Sequence, residues 1–379
     1  MSLKRPNTRI RRLTRYTMAE NTESGIKIAF AAIDKEIENL IPINEDVEGG
    51  RQYVQWGRDN LYPQYLYGLY EDVASLKTVI DGTADYTCGN DVRCTLPGFT
   101  KEVNTKGDSV RDLVWLCARD YLIYGGFAIQ VIRSKIGHIR ELYWLDYKNL
   151  RSSKYNDVIY YSEEFGKRYV RSNKTIIYPK FMSGSEEPVS VLYVKNEKSR
   201  TYPVPRYSGA IKSCEIERRI DTFHLSSLEN GFAGSYIINF LNGIPTDEQK
   251  EEIERNINEK FAGSSNAGRI LINFANGKDN ATDVQKLDVD DYGDKYRTLA
   301  ERSRQQIFVS FRAIPQLFGD MTAATGFNSQ EFSESFKVFN RTVVMPVQQT
   351  VVNAINRILN VDAVIIEPFT LEGREQTIE

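Results

Sequence analysis

Ile307-Phe-Val-Ser-Phe-Arg-Ala-Ile-Pro-Gln-Leu-Phe-Gly319 is the stretch on which the fold turns. Upstream of it, a helical pattern runs from Asp291 to Ala313. Pro315 ends that pattern, because proline lacks the backbone N–H and biases the residue before it away from the helical region. Downstream, Pro315 to Asn328 reads as non-helical, with the small residues Gly319, Ala323, Ala324 and Gly326. Asn328 and Glu331 then sit in cap and capping-box places before a long helix. Its buried stripe is Phe332, Phe336, Phe339, Val343, Val347, Val351, Ile355 and Ile358. Pro346 inside that stripe predicts a kink.

Working backwards, Ala210 to Leu228 carries a second helical pattern. Ile211, Cys214, Ile216, Ile220 and Phe223 are its apolar positions, among Glu215, Glu217, Arg218, Arg219 and Asp221. Between the two helices lies a small module. It comprises a strand at Tyr236–Phe240, a turn at Asn242–Gly243, a helix opening at Thr246 with Gln249, a loop at Gly263–Gly268 and a strand at Arg269–Phe274. Two helices bracketing an insertion can pack antiparallel with the insertion at their far end. Neither has an apolar face all round, which suits helices that touch neighbouring subunits and show polar residues to a lumen.

The first two hundred residues read as α+β. A stripe of Leu66, Leu69, Val73, Leu76 and Ile80 predicts one helix from Pro63 to Gly89. Ser109 with Asp112 opens a second, ended by Gly125–Gly126. Phe127–Ile132 and Ile139–Leu145 predict a hairpin around Lys135–Gly137. Val158–Ser162, Tyr169–Val170, Thr175–Tyr178 and Val189–Val194 extend it into an expected antiparallel meander.

Composition excludes several classes of function. The charge of −2 divides into six cations before Glu20 (Lys4, Arg5, Arg9, Arg11, Arg12 and Arg15) and −8 on the rest, so the body is not a basic nucleic-acid grip. The arm reads either as a ligand for phosphates or an acidic surface, or as a solvated terminus. With 2 histidines, His138 and His224, multi-His metal sites are nearly excluded, and both read as structural or surface residues. Cys88, Cys94, Cys117 and Cys214 match no zinc spacing and predict buried free thiols. Leu113 to Ile132, the most apolar window, is broken by Arg119–Asp120 and Gly125–Gly126, and Met1 to Met18 lacks a signal-type apolar run, so neither membrane span nor leader is expected. The 22 Tyr and 18 Phe predict extensive packing or subunit contacts.

No enzyme motif survives inspection. Gly263–Gly268 has no Gly-Lys-Ser/Thr behind it, and Gly277–Lys278 is followed by Asp279 instead of a hydroxyl, so neither is a P-loop. Asp288, Asp290, Asp291 and Asp294 could hold a divalent cation but lack calcium-loop spacing, and acids at a helix start also favour the dipole. A magnesium-dependent nuclease using Asp288, Asp290 and Asp291 is the rival reading.

The chain resembles the portal proteins of tailed bacteriophages, and is similar to portals of phages infecting Bacteroidetes, over about Trp56 to Leu359. The resemblance rests on Trp56-Gly-Arg-Asp-Asn60 with Leu61-Tyr-Pro63, and on Leu122-Ile-Tyr-Gly-Gly-Phe-Ala128 leading to Glu141-Leu-Tyr-Trp-Leu-Asp146. It also rests on Phe240-Leu-Asn-Gly-Ile-Pro245 with Gly263–Phe274, and on Ile307–Gly319 with Ser329-Gln-Glu331 and Val344-Met-Pro346. It implies an α+β portal fold: a basic N-terminal arm (1–26), a wing (27–208), a first stem helix (209–233) and a clip (234–290). A second stem helix (291–313), a tunnel loop (314–328), and a C-terminal wing helix with a minimal crown (329–379) complete it. The implied function is a non-enzymatic dodecameric ring at one capsid vertex, the channel for DNA packaging by the terminase motor and for ejection and the attachment point for the tail, assembled in the host cytoplasm and retained in the virion; another head–tail connector ring is an alternative. Its implied partners are the major capsid protein, the terminase large subunit, a head–tail adaptor and non-specific double-stranded DNA, with no cofactor, metal or membrane.

The implied channel residues are Asp320, Met321, Thr322, Ala323, Ala324, Thr325 and Gly326 on the loop, and Lys295, Arg297, Arg302 and Arg304 on the second stem helix. For those four cations, salt bridges to Glu215, Glu217 or Asp221 of a neighbouring subunit are the equal alternative. Asn242, Gly243, Ser264, Ser265 and Asn266 are the implied clip residues facing the terminase.

Overall fold

Trp56-Gly-Arg-Asp-Asn60 is folded into a knot of buried polar and aromatic groups in the computed structural model of the chain. The structure describes residues 53–165, 174–229, 290–320 and 329–369, with the short stretches 236–240, 245–246, 248–250, 252–253 and 270–274. Trp56 is fully buried and stacks on Tyr202 with centroids 4.5 Å apart, its edge against Tyr147. Gly57 takes φ 86 where a Cβ would lie 2.7 Å from Tyr62 Cβ, so only glycine fits this turn. Asn60, at φ 64, accepts at Oδ1 from the Trp56 N–H at 3.0 Å and from Arg151 Nε at 2.6 Å.

Where one helix is expected from Pro63 to Gly89, the structure has two, α1 (Tyr62–Asp72) and α2 (Ala74–Cys88), broken at the extended and buried Val73. The break is held from outside. Glu217, a distant residue, accepts from the Ser75 N–H at 3.2 Å and the Ser75 hydroxyl at 2.7 Å, capping the first turn of α2. A strand, β1 (Asp91–Cys94), follows. The helix opened by Ser109 is α3 (Val110–Tyr124), with the capping box to Asp112 present and Gly125 as left-handed cap at φ 84.

The hairpin is as expected: β2 (Gly126–Arg133) pairs antiparallel with β3 (Ile139–Leu145), with a bulge at Ile132/Arg133. Gly126 begins it because a Cβ there would lie 2.4 Å from the Val194 carbonyl. The remaining strands are β4 (Leu150–Ser152), β5 (Val158–Tyr161), β6 (Ile176–Pro179) and β7 (Val189–Lys195). They do not continue a single meander. The order β3-β2-β7 makes one antiparallel sheet and β4-β5-β6 a second, because β7 returns to the free edge of β2 and leaves β4 to β6 as a separate meander. Tyr169–Val170 lies outside the described residues.

The later elements follow the expected order. They are α4 (Ile211–Glu229), β8 (Tyr236–Phe240), β9 (Ile270–Phe274), α5 (Asp290–Phe311), α6 (Ser329–Phe339), α7 (Met345–Leu359) and β10 (Val364–Glu367). Strands β8 and β9 pair in parallel, and β10 pairs antiparallel with β1, closing the chain onto its own first strand. The Gln249 carboxamide accepts from the Thr246 N–H at 3.1 Å, as the cap pattern predicts. Pro346 stands in the first turn of α7, and Asn340–Val344 before it forms a π-turn in which Met345 N–H reaches Asn340 O. The wider turn relieves the clash between the proline ring and the preceding turn.

The aromatic excess is used in packing. Tyr86 of α2 meets Phe318, Phe336, Phe339 and Phe369 with centroids 5.2–6.1 Å apart. All four cysteines are buried and free, and burial pushes the Cys88 and Cys214 thiols up to about 12.

Candidate functional site

The site that the sequence points to is the antiparallel pair α4 and α5 with the turn that follows it. Phe223 of α4 stacks on Tyr296 of α5 at 5.2 Å, with the exposed His224 ring at 6.0 Å from the same tyrosine. At the other end Tyr207 stacks on Phe311 at 5.4 Å, and Ser303 is buried between. His138 is exposed in the hairpin turn.

The four cations proposed for α5 do not form one surface. Arg297 and Arg304 are seven residues apart and share a face; Arg302 lies about 140–160° around the helix from them. Arg297 pairs with Glu301 at 3.0 Å within the helix, and Arg304 Nη1 lies 3.6 Å from Asp320 Oδ2. Both pairs are exposed enough that each contributes at most about 1 kcal/mol. Arg302 is exposed. Lys295 is helical, with a side chain outside the described residues.

The acids held ready for those cations are mostly occupied within their own chain. Glu215 is buried and takes Arg218 at 2.9 Å and Arg219 at 3.6 Å, while Arg218 also reaches Asp72 at 3.5 Å. Glu217 caps α2. That leaves Asp221, exposed on α4, as the acid of the three with neither an ion pair nor a capping role among the described residues.

Of the seven loop residues implied to line a channel, Asp320 alone is among those described. Its N–H donates to the Pro315 carbonyl at 3.1 Å, and its carboxylate meets Arg304. Met321, Thr322, Ala323, Ala324, Thr325 and Gly326 lie outside the described residues, as do Asn242, Gly243, Ser264, Ser265 and Asn266, the basic arm and Asp288. Among the described residues no group of three His, Cys, Asp or Glu stands close enough to share a metal. No helix among them is long and apolar enough to cross a membrane.

Two residues that support this site went unread in the sequence. The Tyr86 hydroxyl donates to the Leu317 carbonyl at 2.9 Å, and Gly82 lets α2 approach the Phe318 ring, which a Cβ would meet at 2.8 Å. One face of α2, that of Gly82 and Tyr86, therefore carries both the turn Pro315–Phe318 and α6, whose Phe339 meets Phe318 at 5.5 Å. Gly82 did leave a signal, since glycine inside a helix costs about 1 kcal/mol relative to alanine and marks a close approach. Tyr86 left none, being one tyrosine among 22.

Comparison with known proteins adds three findings. A family model described as phage portal protein matches residues 104–373. An uncharacterized protein of Rickettsia bellii (strain RML369-C) is 26% identical over 153 residues, 38% of this chain and 38% of the relative, so the chain matches well under half the length of that relative. Among solved structures, a chain from the virion of a native gene transfer agent (GTA) particle superposes with a TM-score of 0.53 at 18% identity, covering 84% of this chain and 86% of its own. A chain from the neck of the native particle, computed with C12 symmetry, gives 0.51 at 18% identity and covers 84% and 86%.

Proposed function

The chain belongs to the phage portal protein family, and from that membership we propose that it forms the portal ring of a tailed phage or phage-like particle. The ring has 12 copies, a number supported by the C12 symmetry with which the neck of the gene transfer agent particle was computed. It occupies one capsid vertex in the virion after assembly in the host cytoplasm. DNA passes through it during packaging by the terminase large subunit and again on ejection. The major capsid protein surrounds it, and a head–tail adaptor docks beneath it. Within the ring the chain divides into wing (27–208), stem helices (209–233 and 291–313), clip (234–290) and tunnel loop (314–328), with a minimal crown after the last helix. Kinship to portals of Bacteroidetes phages is part of the same proposal.

The observation that carries this reading is the family match running through the α4–α5 pair, the turn at Pro315 and the kinked helix. Electrostatics supports it. A channel must let a polyanion slide, so a body of −8 with Arg297 and Arg304 paired to acids of the same chain suits passage better than tight phosphate binding.

Negative-stain images or native mass spectra of the purified chain are expected to show closed rings. A monomer under every condition overturns the reading, as does magnesium-dependent DNA cleavage abolished by Asp290→Ala. Deleting Ala323–Thr325 is expected to leave ring assembly intact while impairing DNA packaging or retention, measured as packaged genome per particle. Loss of rings in that variant would place the loop at a subunit contact instead.

A further inference from the structure

The stem helices turn complementary residues away from each other. Phe223 and Tyr296, stacked at 5.2 Å, mark the sides on which α4 and α5 face one another. At about 100° per residue, Asp221 and Leu225 lie about 160° around α4 from Phe223. On α5, Arg302 and Val309 lie about 120° and 140° from Tyr296 by the same repeat. All four are exposed, Leu225 by 59% and Val309 by 62%. Around them the other charged groups are already occupied: Glu215 pairs with Arg218 and Arg219, Arg297 with Glu301 and Arg304 with Asp320, while Glu217 accepts hydrogen bonds from Ser75 at the start of α2. Asp221 and Arg302 stand apart on opposite outer edges of the pair, with no ion pair among the described residues.

From this geometry we infer that the outer edge of α4 on one copy packs against the outer edge of α5 on the next, with Asp221 paired to Arg302 across the subunit boundary. The inference rests on the portal-ring reading. A cyclic ring relates its copies by rotation with no translation along the axis, so residues at similar heights on opposite edges meet. Measured from the Phe223–Tyr296 stack at 1.5 Å per residue, Asp221 stands about 3 Å and Arg302 about 9 Å toward the wing. The offset of about 6 Å is within the reach of an arginine side chain. Arg218 lies near the same height on the same edge, but Glu215 and Asp72 already neutralise it. Leu225 on the clip side and Val309 on the wing side are the apolar ends of the same seam, covered when the ring closes.

The test is native mass spectrometry of the full chain over a dilution series, with circular dichroism to verify that each variant is folded. Asp221→Arg and Arg302→Asp, each placing like charges at the seam, are expected to raise the concentration at half-assembly by more than about tenfold. The double swap is expected to return it to within about threefold of wild type, which a merely misfolded variant would not do. As a second measurement, Asp221→Cys with Arg302→Cys is expected to give a ladder of multimers joined by a thiol-reactive bismaleimide spacer, which spans the offset that a direct disulfide would not, since the four native cysteines are buried. Unchanged assembly in both reversals, or no cross-links between the paired cysteines, overturns the seam while leaving the ring intact. A wild-type chain that never forms rings overturns the portal reading itself, and the seam with it.

Discussion

Arg151→Met is expected to lower the unfolding free energy by about 3–5 kcal/mol, measured by urea denaturation followed by circular dichroism. The guanidinium is fully buried and, among the described residues, faces no carboxylate at hydrogen-bond distance. Nε donates to Asn60 Oδ1 at 2.6 Å, Nη1 to the Lys148 and Leu150 carbonyls at 2.8 and 2.7 Å, and Nη2 to the Asn60 carbonyl at 2.6 Å and Gln64 Oε1 at 3.3 Å. Its plane lies over Phe165 at 4.6 Å and Trp56 at 5.8 Å. Burial alone holds its pKa down to about 10, still far above neutrality, so it folds charged. Removing it strands several buried acceptors, each costing about 1–3 kcal/mol when unsatisfied. Lysine cannot substitute, because one ammonium has three donors and no planar fork. A loss in Arg151→Lys under about 1 kcal/mol would show that charge, and not this fan of donors, holds the knot.

The second large effect is a dependence on pH centred on Asp120. This carboxyl is buried in α3, accepting from Trp144 Nε1 at 2.8 Å and Arg119 Nη2 at 3.2 Å. Arg119 is itself sandwiched between Trp115 and Trp144. Burial pushes the Asp120 carboxyl up from 3.8 to about 7; Arg119 offsets part of this and Asp146 adds to it. A folded-state value above the unfolded one means that ionisation costs the native state. The native state therefore has its full advantage below pH 4 and loses it progressively as pH rises through about 7. Across that window the loss is on the order of 4 kcal/mol. Wild type is expected to lose that much relative to Asp120→Asn between pH 4 and pH 8, read from parallel urea titrations. Parallel curves for the two proteins would mean that Asp120 is ionised throughout.

The elements with strong local signals were legible before any coordinates. Ser109 and Asp112 sit three apart, so the α3 cap is a local bond that any structure would form there. Gly125 is left-handed because a helix end with glycine behind it favours that cap. The hairpin, the individual helices α4 and α5 and the stop before Pro315 are likewise local, each governed by periodicity or by proline chemistry. The portal resemblance drew on the order of such segments, and the family match bears it out.

Other features depended on residues far apart in the chain. The break at Val73 is stabilised by Glu217, 142 residues beyond the Ser75 that it caps, and no pattern around Val73 announces it. Strand β1 exists because β10 pairs with it across the whole fold, and β7 left the expected meander to satisfy the edge of β2. The same holds for the candidate site. By sequence alone Lys295, Arg297, Arg302 and Arg304 are four equivalent cations facing three equivalent acids. Helical phase and tertiary contacts divide them. Arg297 and Arg304 are neutralised on one face, Glu215 is taken by Arg218 and Arg219 and Glu217 by the first turn of α2, and Asp221 and Arg302 remain on opposite edges. Local chemistry decides which elements form, because caps, periodicity and proline act within a few residues. Which charges stay exposed is a property of packing, since a side chain's partner is set by what the rest of the chain brings beside it.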